Sequence, residues 1–120
     1  MNIMNNENAI KLCDAVLKHV PEFREYKDFA LWGKENPYLH FGNFGNFLVE
    51  RIERSLENDP IVQRAVEFVN ASYNTSNDEY IHTMLGTEVF EKLTVSSKTV
   101  AVAKKYLKDA ALNHFDKALK

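Results

Sequence analysis

A single cysteine, Cys13, stands among the 120 residues, so no intramolecular disulfide can form and a zinc cage built on thiolates is excluded. A reducing compartment suits such a chain. No apolar run approaches the roughly 18 residues of a membrane-spanning helix. The first eight residues, Met1-Asn2-Ile3-Met4-Asn5-Asn6-Glu7-Asn8, lack both the basic and the apolar regions of a signal peptide, and a cytoplasmic location is expected. A basic surplus is missing too: the formal charge is −2 and the pI near 6.1, which argues against direct nucleic-acid binding. No stretch alternates apolar and polar residues with period two long enough to suggest a strand, and no internal repeat is visible.

What is present is a chain of ordinary globular composition, 45% apolar and 27% charged, long enough for one core and too short for two. Residues 1–120 are therefore expected to form a single domain. The small net charge hides an asymmetry. Residues 1–97 carry nine Lys/Arg against fifteen Asp/Glu, a charge of −6, whereas residues 98–120 carry six against two, a charge of +4.

Helical periodicity runs through the whole sequence. Ile10, Cys13, Leu17 and Val20 mark a first helix over about residues 6–20, ended by Pro21, which can itself open a second helix carrying Phe23, Tyr26, Phe29, Ala30 and Leu31. Gly33 and Pro37 are expected to stop that second helix. Asn43 is a good N-cap for a third, whose stripe is Phe44, Leu48 and Ile52, and Gly42 and Gly45 beside it allow either close backbone approach or positive φ. Asp59 and Pro60 open a fourth helix with Ile61, Ala65, Phe68 and Val69 on its buried face. Ser76-Asn77-Asp78-Glu79 reads as a capping box before a fifth, in which Gly86 either breaks the helix or permits a close crossing. Val100, Ala103, Leu107, Ala110, Ala111 and Phe115 predict one long final helix. The expected architecture is all-α: a compact bundle of about six helices in consecutive antiparallel pairs, or a short solenoid-like stack. Its core is expected to hold Ile10, Leu17, Phe44, Leu48, Ile52, Phe68, Val69, Leu85, Phe90 and Leu107.

Reactive groupings are sparse. His19, His40, His82 and His114 are each isolated in sequence, none at metal-ligand spacing, and read as boundary or surface residues. Residues 42–45 match neither a phosphate loop nor a dinucleotide fingerprint. No catalytic residue, metal or cofactor is expected. The carboxylates are more suggestive. Glu50, Glu53 and Glu57 share one side of the third helix, and Glu22, Glu25 and Asp28 share one side of the second. A solvated, salt-bridged face explains either set. With Asp78 and Glu79, and with Trp32, Tyr38 or Tyr80 as anchors, they could also form an acidic surface for a basic partner.

The segments Pro37-Tyr38-Leu39-His40-Phe41-Gly42-Asn43-Phe44-Gly45-Asn46-Phe47-Leu48 and His82-Thr83-Met84-Leu85-Gly86-Thr87-Glu88-Val89-Phe90-Glu91-Lys92-Leu93 together resemble a family of small all-helical bacterial domains of uncharacterised function. In that family a Phe-Gly helix start precedes a Leu-x-x-Gly-x-x-Glu-like element; here Gly86 follows Leu85 directly. The chain also resembles the small acidic immunity proteins of contact-dependent growth inhibition. That resemblance implies a cognate toxin as partner, often a nuclease, neutralised by covering its active site or its substrate surface. Two other classes are compatible with the residues: a non-catalytic adaptor or regulatory interaction domain, and a small enzyme with an unfamiliar site.

Overall fold

The computed structural model describes residues 7–26, 36–55 and 58–120, and these form an all-α single domain around one hydrophobic core. Helix α1 spans Glu7–His19 and is followed by a 3₁₀ turn, Pro21–Glu25. Helices α2 (Pro37–Arg54), α3 (Pro60–Thr75) and α4 (Glu79–Leu85) come next. A π turn, Gly86–Phe90, continues α4 without a break, and a 3₁₀ turn, Lys92–Thr94, leads into α5 (Ser97–Tyr106) and α6 (Asp109–Ala118). Among the described residues there is no strand, and no helix is long and apolar enough to cross a membrane.

Where the helices begin and end differs from the sequence reading at four places. Pro37 starts a helix instead of stopping one. It occupies the first helical position, where its missing N–H has no intrahelical partner to lose, and Asn36 caps it by accepting from the Leu39 N–H at 3.3 Å. Asn43 is consequently a mid-helix residue, and Gly42 and Gly45 lie within α2. The expected second helix is a single 3₁₀ turn as far as Tyr26; Phe29, Ala30, Leu31 and Gly33 lie outside the described residues. Asp78, not Ser76, caps α4, accepting from Tyr80 N–H at 2.9 Å. The complete capping box lies elsewhere, between Ser96 and Thr99 at the start of α5.

The long final helix is two helices. Asn70 and Asn74 on α3 reach across to the chain between them: Asn70 Oδ1 accepts from Lys108 N–H at 2.7 Å and Asn74 Oδ1 from Ala111 N–H at 2.9 Å. Asn74 Nδ2 also donates to the Lys108 carbonyl at 3.0 Å. These bonds cap α6 from a neighbouring helix, since Lys108 at its N-cap supplies no side-chain bond of its own. A tertiary contact thus outweighs the apolar periodicity that would have carried one helix through.

The core holds eight of the ten expected residues, from Phe44 to Leu107; Ile10 and Leu17 are only half-buried because α1 turns Ala9, Cys13 and Val16 inward instead. At its centre Phe23 packs edge-on to Phe44 with ring centroids 5.2 Å apart, and Phe47 closes the group at 5.5 Å from Phe23.

Candidate protein-binding surface

The two segments that carry the sequence resemblance pack against each other. Helix α2 lies on the π turn so closely that a Cβ at Gly45 would overlap the Glu88 carbonyl oxygen, and one at Gly42 would come within 2.8 Å of Glu88 Oε1. The Lys92 ammonium donates to the Gly42 carbonyl at 2.8 Å and sits 4.0 Å from the Glu88 carboxylate. The two segments run in the same direction, since Tyr38 meets Tyr80 at one end of the seam and Val49 shares a cleft with Lys92 and Val95 at the other. The glycines of α2 serve close approach, in unstrained helical backbone.

A surface follows this seam. Tyr38 and Tyr80 form an edge-to-face pair, centroids 5.4 Å apart at 87°, half-buried against the core. Neither hydroxyl hydrogen-bonds to a described residue. Burial raises the pKa of both phenols; the Glu88 carboxylate adds to this for Tyr38, and the neighbouring Tyr38 phenol, Cys13 and Asp78 add to it for Tyr80. Both remain protonated donors at neutral pH. Glu79 is exposed beside Tyr80. Along the seam Glu50 and Glu91 border the cleft with Tyr26 and Val95, the latter 64% exposed. Among the described residues Lys92 is the one cation lining that cleft, and its ammonium is turned onto the Gly42 carbonyl.

The residues expected at an acidic surface divide into four groups. Tyr38, Tyr80, Asp78 and Glu79 are brought together, with Asp78 committed as the α4 cap and within 3.4 Å of Asn8 Nδ2. Glu50 lies farther along the same seam, accepting from the Tyr26 hydroxyl at 2.7 Å, while Glu53 accepts from Ser96 Oγ at 3.1 Å. Glu22 is engaged elsewhere in a two-pronged bond with Arg64, at 2.9 and 3.2 Å, and those hydrogen bonds hold its pKa below the usual carboxylate range. Glu25 is exposed on the first 3₁₀ turn. Asp28, Trp32 and Glu57 lie outside the described residues. Glu88 and Glu91 were missed, because the sequence does not reveal that the π turn rides on α2.

Of the histidines expected at boundaries or the surface, His82 and His114 are half-buried and are brought together in space by Tyr73, while His40 is buried in the core, a correction to its expected place at a boundary. Tyr73 hydrogen-bonds His114 Nδ1 through its hydroxyl at 2.7 Å and His82 Nε2 through its carbonyl at 3.0 Å, and its ring stacks on His82 at 4.1 Å. Chain separations of 41 and 9 residues gave no sequence signal for the cluster. His114 Nδ1 is bonded to the Tyr73 hydroxyl, and the Nε2 edge lies against Gly86, where a Cβ would overlap it. Its role is to tie α6 to α3.

Burial holds His114 below the ordinary histidine pKa of 6.5, with His82 adding to the depression, and burial does the same for His40, which is 3% exposed and edge-on to Phe23 at 82°. Well above pH 6.5 both rings are neutral whether the chain is folded or not, and the stability they permit is fully present. As the pH falls below 6.5 the unfolded chain takes up protons first, so stability drops until the folded-state values are passed. Urea denaturation at pH 7.5 and 5.5 should show the loss, and His40→Phe should shrink it.

The seam and both of its segments fall within residues 13–119, which match the family described as "Domain of unknown function (DUF7674)". The chain belongs to that family. No curated protein and no solved structure matches it. Among the described residues no three His, Cys, Asp or Glu side chains converge as metal ligands. In this member of the family the seam brings together two phenols, carboxylates and half-buried aromatic rings.

Proposed function

We propose that this protein is an immunity protein: it binds a basic toxin domain, a nuclease in the reading we favour, and neutralises it by laying the α2/π-turn seam over the toxin's cationic substrate surface. The observation that carries the proposal is the half-buried Tyr38–Tyr80 pair, whose hydroxyls bond no described residue, flanked by Glu79 and Glu88. A nuclease must present cations to the phosphate backbone. Carboxylates match those cations, and tyrosines supply contact area at low entropic cost together with a polar tip. The −6 charge of residues 1–97 supports electrostatic steering toward such a partner.

The test is co-expression with a toxin encoded beside the gene, together with association kinetics of the purified pair. Glu79→Lys/Glu91→Lys alters two exposed side chains that bond nothing among the described residues, so the variant should fold, yet associate more slowly and protect less. Wild-type association should itself slow as added salt shortens the Debye length from about 10 to 3 Å. Tyr80→Ala should weaken binding by about 2 kcal/mol, some thirtyfold, if the pair is a hot spot. A folded charge-reversed variant that protects as well as wild type would remove the seam as the contact surface. A partner that binds but is not a toxin would make the protein an adaptor.

A further inference from the structure

We propose that the groove between the C-terminal end of α2 and the outer side of α5 binds a small amphipathic anion, one with an apolar body and a single carboxylate or similar head. The groove is a cavity of about 420 Å³ with Ile52 and Val62 in its floor and Val102 and Tyr106 in its wall. Small-ligand sites typically measure about 300–1,000 Å³ and are mostly apolar with a few placed polar groups.

The polar groups at this mouth include two cations, set beside Ser55, Asn58 and Asp59. Lys98 and Lys105 stand seven residues apart on one face of α5. Lys98 Nζ donates to the Ser55 carbonyl at 2.7 Å and the Glu53 carbonyl at 3.3 Å, taking up carbonyls that the last turn of α2 leaves open and fixing the ammonium at the rim. Lys105 lies 5.3 Å from the Tyr106 ring centre and makes no ion pair with a described residue; the Tyr106 hydroxyl likewise bonds none. Among the described residues the lining includes one carboxylate, Asp59, which is already compensated. It accepts from Arg51 and Ile61 N–H at 2.9 Å and from Ser55 Oγ at 2.8 Å. Burial pushes its pKa up, but these bonds outweigh burial and hold it below the usual value. An anionic head therefore meets two ammonium groups and a phenol, while its apolar body covers Ile52 and Val62.

Decanoate below its micelle concentration, titrated calorimetrically into the full chain, is the probe, with decanol as the uncharged control. Decanoate should bind about fivefold or more tightly than decanol, and Lys105→Glu should remove that advantage, the scale expected for a partly exposed charge contact. Ala101→Trp, at an exposed position in the groove wall, should abolish binding of both while circular dichroism stays native. No decanoate binding, equal affinity for decanol, or indifference to Lys105→Glu would overturn the proposal. So would a dimer that Ala101→Trp dissociates, which would assign the groove to a second copy, or an acidic amphipathic peptide that displaces decanoate and binds more tightly.

Discussion

Gly45→Val is expected to destabilise the domain by about 3 kcal/mol, the upper end of the usual penalty for inserting carbon into a packed contact. The added Cβ would overlap the Glu88 carbonyl oxygen, and that oxygen belongs to the backbone of the π turn. Backbone cannot swing aside as a side-chain tip can. Relief requires α2 and the π turn to separate, which loosens the core to which they contribute the buried Phe44 and Phe90. Gly42→Ala makes the matching control. Its Cβ would press on Glu88 Oε1 at 2.8 Å, the far end of a flexible side chain, and alanine gains about 1 kcal/mol over glycine inside a helix. Gly42→Ala should therefore be neutral or mildly stabilising, and Glu88→Ala should ease any residual cost at position 42 without rescuing Gly45→Val. Urea midpoints of the four variants give the comparison. A Gly45→Val protein as stable as wild type would mean that the seam is not the close crossing described here.

The same seam shows how far the sequence could be read. At residues 42–45 glycine stands next to a helix signal, which requires either close approach or positive φ. Only a partner could decide between them, and the partner is 43 residues away in the chain, at Glu88. Helix identity was legible wherever apolar spacing was regular, as in the Phe44, Leu48 and Ile52 stripe, because 3.6-residue periodicity is a local property. Boundaries were legible where the cap was local, as at Asp59 and Pro60, and misread where proline has two opposite uses, as at Pro37. The break between α5 and α6 was not legible at all, since its cause is the side chains of Asn70 and Asn74. Tyr38 and Tyr80 were legible as aromatics near helix ends but not as a pair. Glu22 showed its charge and concealed its bond to Arg64.

Leu48→Ala should cost about 4 kcal/mol, within the range of about 2–5 kcal/mol found for buried leucine truncations. Where a variant falls in that range depends on whether the surroundings can collapse into the space. Leu48 is fully buried in the middle of α2, with Phe44 and Ile52 one turn to either side and equally inaccessible. The helix has little freedom to move inward. One flank is held at van der Waals contact with the π-turn backbone through Gly45, and another by the interlocked rings of Phe23, Phe44 and Phe47, whose centroids lie 5.2–6.0 Å apart. A methyl in place of an isobutyl group then leaves a void that neither neighbour can fill, so the loss of contacts adds to the loss of transfer free energy. Leu39→Ala, on the same helix at 37% exposure, should change stability by less than about 0.5 kcal/mol, as ordinary surface substitutions do. Equilibrium denaturation in urea separates the two. A loss below about 1 kcal/mol at Leu48, with an unchanged denaturant slope, would show that α2 shifts to close the gap, and the rigidity ascribed to the seam would be wrong.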